Sequence, residues 1–382
     1  MAKVKELYTI IVTNYNTNDE YIKTSLDSVF VQDYPNIQLI ITDDGSNNIN
    51  KSHIKKYITQ NKGKNIKKVD YIFHDTNIGT VKILNEALKK SLGDYILFFA
   101  SDDKLATKTV ISNFYNEFIK NSNINVVTAQ WKNCDEDLNI ISDYVNKKRS
   151  LKYNHSTIKK QYFKMCCSNL YGSGATSYRI LTFERYGFFN EKYFLLEDWP
   201  YWLHLISNNE KIYYADFDGL LHRNGGVSKI VTPARGKFYN EILTTFSDEI
   251  MPNLNEFNLM KKIKILDSYN FHINEYSYAI DTKFYKDNLY SVINSNKVLK
   301  YLWYINKITP HIGIKIEILL KYNKVIPITV ISTIILDFIV VNIIDFSSNN
   351  RLFLVCILLY IIQYWIVNTI NNTYQIIKRK KK

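Results

Sequence analysis

Cysteine is scarce in this chain. Its 382 residues hold 4, at Cys134, Cys166, Cys167 and Cys356. The adjacent Cys166 and Cys167 cannot easily bridge to each other, and no CxxC or other cysteine metal spacing occurs. A disulfide framework is therefore not expected, and a reducing cytosol fits. A secretory signal is not expected either, because the apolar run at 7–12 is too short for one and reads as a strand. Internal repeats are not visible. No stretch interleaves aromatic and basic residues as a nucleic-acid reader would, so the net charge of +13 points to another partner.

Apolar and aromatic residues are plentiful. The chain is 46% hydrophobic, with 30 Tyr and 20 Phe, which is enough for a large core. Its length suggests about two or three structural units. Two apolar runs, 325–344 and 352–370, are each about 20 residues, long enough for a helix to cross a hydrocarbon core. Asp337, Asn342, Gln363 and Asn368 interrupt them. The polar turn between them carries only Arg351, whereas Lys315, Lys321 and Lys324 precede the first run and Lys378 to Lys382 follow the second. Positive charge at both outer ends places these ends, and the N-terminal domain, in the cytoplasm against anionic lipid. The expectation is two transmembrane helices over 325–370 with a basic cytoplasmic tail over 371–382. Asp337 would then face the other helix or the headgroups. A buried helical hairpin in a soluble protein is the alternative.

The first 130 residues alternate short apolar runs with amphipathic ones. Strands are predicted over 8–13, 37–42, 69–73 and 95–99, and helices over 21–31, 53–59 and 80–91. This β-α-β-α order predicts an α/β fold, a parallel sheet with helices on both faces. Ligands of such sheets collect at the carboxyl ends of the strands. The region 150–230 is less regular. Residues 236–324 read as helices rich in Tyr, Phe and Lys. They suit either a collar at the membrane interface or a plain bundle, which would bind acceptor or pair subunits into a homo-oligomer.

The polar residues that follow the strands carry the chemistry. Thr13, Asn14, Tyr15 and Asn16 follow the first strand, and Asp43, Asp44, Gly45 and Ser46 the second. A carboxylate beside a glycine turn can accept from a base N–H, and a tyrosine can stack on the ring. Either motif is equally an ordinary turn. Gly79 and Thr80 open a predicted helix whose N-terminus attracts phosphate, with Lys82 in its first turn; simple capping is the competing reading. Asp102 and Asp103 end another strand. Hard cations such as Mg2+ or Mn2+ take carboxylate oxygens and leave positions for phosphate. The pair can instead cap the next segment. Glu197 and Asp198 beside Trp199 suit general-base work, since desolvation raises a carboxylate pKa, or simply a helix start. His222 and Arg223 lie before Gly225 and Gly226, where Arg223 can grip a diphosphate and His222 can complete a metal shell; a lone histidine is as readily structural.

In this order the pieces resemble an inverting family 2 glycosyltransferase with the GT-A fold. The resemblance rests on Tyr8 to Asn16, Leu26 to Tyr34, Ile41 to Ser46, Asn77 to Gly79, Leu84 to Leu88, Gly93 to Ile96, Ser101 to Asp103, Gly174 to Arg179, Gly187 to Glu191, Glu197–Asp198 and Gly225 to Ser228. It covers roughly residues 5–230, and a domain over 1–235 is expected. The resemblance implies that Thr13, Tyr15 and Asp44 hold the nucleotide base. Asp102 would contact ribose or metal, and Asp103 would bind Mn2+ or Mg2+. Asp198 would deprotonate the acceptor, with Glu197 as second choice, and Arg223 or His222 would face the diphosphate. Two departures stand out: His204 where an arginine is frequent, and Leu221-His222-Arg223-Asn224 where Tyr-Arg is frequent, which leaves the register of that loop open by one residue.

The function implied is a membrane-anchored, metal-dependent transfer of a sugar from a UDP-linked donor to a polyprenyl-linked glycan, in cell-surface polysaccharide or glycoconjugate synthesis. Two rivals stand beside it. A polyprenyl-phosphate sugar synthase would use a lipid phosphate as acceptor. A silent membrane scaffold would not need both acidic pairs.

Overall fold

A computed structural model of the chain describes residues 6–47, 51–224, 233–297, 299–300 and 303. The chain divides into two compact units, Met1–Lys300 and Tyr301–Lys382. The apolar runs at 325–344 and 352–370, the basic tail and the Gly225–Ser228 loop lie outside the described residues. Among the described residues no helix is long and apolar enough to cross a membrane.

The strands are β1 (Tyr8–Asn14), β2 (Ile37–Asp44), β3 (Ile66–His74), β4 (Tyr95–Ala100), β5 (Lys104–Leu105), β6 (Val126–Cys134), β7 (Ile140–Asp143), β8 (Thr176–Arg179) and β9 (Ile212–Arg223). The helices are α1 (Asp19–Phe30), α2 (Lys51–Asn61), α3 (Thr80–Lys90), α4 (Val110–Lys120), α5 (Lys147–Asn154), α6 (Ile158–Cys167), α7 (Ile180–Tyr186), α8 (Asp198–Ser207), α9 (Pro233–Thr244), α10 (Leu259–Tyr276) and α11 (Lys283–Asn294). They build a mixed α/β sheet in the order β3-β2-β1-β4-β8-β6-β9-β5, with β7 beside β6.

The N-terminal half of the sheet is parallel: β1 pairs with β2 and β4, and β2 with β3. All eight residues of β2 are buried. Burial on both faces is what a parallel sheet covered by helices requires. α1 starts where the Asn18 side chain accepts the Glu20 N–H, with Asp19 and Glu20 in the first turn favouring the helix dipole. Leu26 and Val29 then turn inward to the core of Tyr8, Ile10, Leu39 and Leu97.

Beyond β4 the order becomes antiparallel, with β8 against β4 and β6. Three residues, Ser101, Asp102 and Asp103, carry the chain from β4 to β5, which pairs with β9 at the far end of the order. Four chain steps span at most about 14 Å, whereas four strand spacings are about 19 Å. The sheet therefore curls, and the Asp102–Asp103 turn sits at the fold of the curl.

Candidate active site

The carboxyl ends of β1, β2 and β4 are tied by one polar lattice. Asn14 donates from Nδ2 to Asp43 Oδ1 at 2.6 Å, and Ser101 Oγ donates to Asn14 Oδ1 at 2.7 Å. Ser46 Oγ donates to Asp43 at 2.5 Å and accepts the Asn16 N–H at 2.7 Å. Asn14, Asp43, Ser46 and Ser101 each have partners in this lattice, which ties the three strand ends into one rim. Thr13 donates to the Phe99 carbonyl at 3.4 Å, and Tyr15 stands 46% exposed above the rim, free to stack on a planar base.

Asp44 is 4% exposed and aimed along the rim. Its two oxygens accept the backbone N–H groups of Ile78 and Gly79, at 2.7 and 2.9 Å. Burial raises its pKa and these two bonds pull it back. The anion that these N–H groups meet at the start of α3 is the chain's own Asp44 carboxylate. Gly79 has φ 99°, and a side chain there would come within 2.6 Å of the Phe194 ring. Lys82 is exposed on α3, with no ion-pair partner among the described residues.

Across the rim, the antiparallel pairing of β5 with β9 (Lys104 opposite Leu221) sets Asp103 opposite His222. Asp103 is 4% exposed. Its carboxylate lies 2.9 and 3.1 Å from His222 Nδ1 and accepts the Arg223 N–H at 3.1 Å. Arg223 departs from the expected diphosphate contact. Its guanidinium lies 3.8 Å over the Tyr21 ring, donates to the Asp102 carbonyl at 3.0 Å, and also donates to the Glu136 carbonyl. It is buried and pins the Asp102–Asp103 turn from behind. Burial, and then the neighbouring Asp103 charge, push Asp102 up to about 6.

A row of rings leads from this turn to the second acidic pair. The His222 ring lies 4.3 Å from Trp131, and Trp131 stacks on Tyr144 at 4.9 Å. Burial raises the Tyr144 hydroxyl to about 12, and the charge of Asp198 adds to the rise. Asp103, through His222, thus stands at one end of this row of rings, and the Tyr144 hydroxyl at the other end feels the charge of Asp198.

Asp198 opens α8 and is 8% exposed. Its carboxylate accepts the Trp199 N–H at 2.5 Å and the Asn169 amide at 3.1 Å. Burial raises both Glu197 and Asp198 above the carboxylate range, and the Asp198 charge raises Glu197 further. The turn at 169–173 serves both this aromatic wall and the acidic pair. Asn169 holds Asp198, Ser173 bonds Glu197, and Gly172 leaves the space that the Trp131 ring fills.

Asp103 and His222 form an open donor pair with Asp102 next to it, and no group of three or more His, Cys, Asp or Glu among the described residues is placed to enclose a cation. A hard cation that keeps positions for phosphate oxygens fits such an open set; a closed protein cage does not.

Several residues of the site carry no signal in the sequence. These are Trp131, Tyr144 and Asn169. Each acts only through a partner distant in the chain.

Residues 9–176 match the family model described as Glycosyl transferase family 2. An uncharacterized glycosyltransferase of Methanocaldococcus jannaschii is 27% identical over 208 residues, 54% of this chain and 67% of that protein. The putative teichuronic acid biosynthesis glycosyltransferase TuaG of Bacillus subtilis is 31% identical over 104 residues, 27% of this chain and 39% of that protein. Among solved structures, S. aureus TarS 1–349 aligns with TM-score 0.48 at 20% identity, covering 71% of this chain and 72% of that one. Residues 9–176 of this chain thus match a glycosyltransferase family 2 domain, and the relatives that this part of the chain resembles are glycosyltransferases.

Proposed function

We propose that the chain moves a sugar from a nucleoside diphosphate donor, UDP-linked in the first instance, onto a hydroxyl of a glycan, with inversion at the anomeric carbon. The observation that carries this reading is the row of rings His222, Trp131 and Tyr144, with Asp103 bonded to His222 at one end and the charge of Asp198 felt at the Tyr144 hydroxyl at the other. Tyr15 and Asp44 lie at the base end of the rim, and Thr13 beside them. Asp198 takes the proton of the acceptor hydroxyl. The hydroxyl oxygen attacks the anomeric carbon from the face opposite the diphosphate. The carbon–oxygen bond to the phosphate breaks, and its electron pair leaves with the diphosphate. A desolvated carboxylate suits this work because its raised pKa brings it nearer the working pH. Mg2+ or Mn2+, held by Asp103 and His222 with Asp102 alongside, would supply charge neutralisation at the leaving diphosphate.

The acceptor proposed is a polyprenyl-linked glycan at the cytoplasmic face of the cell membrane. The two apolar runs of the sequence support it, as does the teichuronic acid pathway named for the Bacillus relative. Carbonate-resistant pelleting of the full chain with membranes is expected; release into the supernatant contradicts the anchor.

The test of the reaction is Asp198→Asn. We expect turnover to fall by roughly 100- to 10,000-fold, the usual worth of a general base, while the UDP-induced rise in Tm is kept. Turnover near wild type removes Asp198 from the reaction. It also favours a lipid phosphate acceptor, which needs little deprotonation. Absence of any nucleotide-induced shift returns the scaffold reading.

A further inference from the structure

We propose that Glu241, on the first helix after the sheet, is a positioning residue that sets the Glu197–Asp198 pair against the nucleotide loop. This rests on the reading of Asp198 as the base. Glu241 lies on α9 and is 8% exposed. Its carboxylate gathers three consecutive backbone N–H groups: Phe194 donates to Oε1 at 2.9 Å, and Leu195 and Leu196 donate to Oε2 at 2.9 and 2.8 Å. Glu197 is the next residue.

Three donors on one buried carboxylate are a strong, directional arrangement. A segment with no regular secondary structure has here the fixed geometry of a helix terminus. The same segment faces the nucleotide rim on its other side. The Phe194 carbonyl accepts the Val81 N–H at 3.2 Å, and the Phe194 ring fills the space beside Gly79. Gly79 in turn is held by Asp44. A continuous series of contacts thus runs from Asp44 through Gly79 and Phe194 to Glu241, and the strand of chain it fixes ends at the base.

Neighbouring contacts from the same helices brace the segment. Lys237 lies 3.2 Å over the Phe194 ring, Tyr193 donates to Glu249 at 3.2 Å, and Lys192 pairs with Asp248. The charged and titratable groups around Glu241 are therefore Lys237 and Glu249 from the helical side, and Tyr193 and Glu197 from the loop. Among these the Glu241 carboxylate adds its negative charge to the field at Glu197 and raises it further.

The test uses the full chain with Glu241→Gln and Glu241→Ala. Amide hydrogen exchange over 193–198 is expected to quicken by at least about tenfold in both variants, while the peptide 37–44 is unchanged. Release of UDP from a UDP-sugar with Mn2+ should fall by roughly 10- to 100-fold in kcat, with KM for the donor within about twofold. The acid limb of the pH–rate profile should move to lower pH in Glu241→Gln, because Glu197 loses a negative neighbour and the Glu197–Asp198 pair, which ionises together, then gives up its protons more readily. A merely structural role would lower Tm and move no limb. Unchanged exchange over 193–198, or unchanged kcat and pH limb in Glu241→Gln, overturns the proposal. If Asp198→Asn is also fully active, the base reading fails; if it is inactive while Glu241→Gln is not, only the clamp fails. Should Glu241→Ala not fold, Glu241→Gln alone decides.

Discussion

The Asp44 carboxylate bonds the backbone N–H of Gly79 at 2.9 Å and that of Ile78 at 2.7 Å. One side chain at the end of β2 thus holds the loop that opens α3. Replacing it by alanine leaves two inward-facing donors without partners, at about 1–3 kcal/mol each. We predict that Asp44→Ala lowers Tm and weakens UDP binding by calorimetry more than Asp44→Asn does, since the amide oxygen keeps one bond. Equal effects of the two variants would mean that charge alone matters here.

Glu197 and Asp198 have a signed consequence for stability. Burial raises both above their unfolded values, and free carboxyls ionise near pH 4. Their contribution is fully present below that pH and is lost as pH rises through the raised folded-state values. Glu197→Gln should therefore stabilise the protein by on the order of 1–2 kcal/mol at pH 8 and by little at pH 4. The rate behaves oppositely. Asp198 must be ionised to take a proton, so activity should rise with pH along an acid limb above the ordinary carboxylate range. Denaturant melts at the two pH values, and a pH–rate profile, check both.

Much of the N-terminal sheet is legible in the sequence. β1, β2 and β4 are short apolar runs ended by turn residues, and each lies within one or two residues of where periodicity puts it. Asp102 and Asp103 announce themselves because two acids close a buried strand. What is not legible depends on pairing between distant segments. Asp103 meets His222 only because β5 pairs with β9, 119 residues apart for that contact. Arg223 looks like a free cation in the sequence, yet it is drawn inward to carbonyls and to Tyr21. Glu241 gains its partners only where the loop before Glu197 meets α9.

Gly172 offers a test of the aromatic wall. An added Cβ would collide with the six-membered ring of Trp131. We predict that Gly172→Ala displaces the indole, costs about 1–3 kcal/mol as overpacking does, and lowers turnover more than Tm alone explains. Gly187→Ala is the control, since nothing lies near its Cβ; its φ of 82° strains the backbone without touching the wall. Wild-type turnover in Gly172→Ala would show that the wall does not position the reacting groups.

His222 should govern cation affinity. With His222→Ala, titration of Mn2+ in the presence of UDP is expected to show affinity weakened by roughly 10- to 100-fold, comparable to losing a ligand or its partner. Asp103→Asn should behave alike, and Arg223→Lys should instead lower Tm by disturbing the turn. Cation affinity untouched in both His222→Ala and Asp103→Asn would remove the pair from metal binding.

The central claim is that one cleft holds the cation pair and the base together. Anomalous diffraction from crystals of the full chain grown with UDP and Mn2+ tests it most directly. The account predicts a manganese peak against Asp103 and His222, with the diphosphate on the side of the wall that faces Asp198. A peak elsewhere, or a nucleotide bound with Asp198 behind it, contradicts the account.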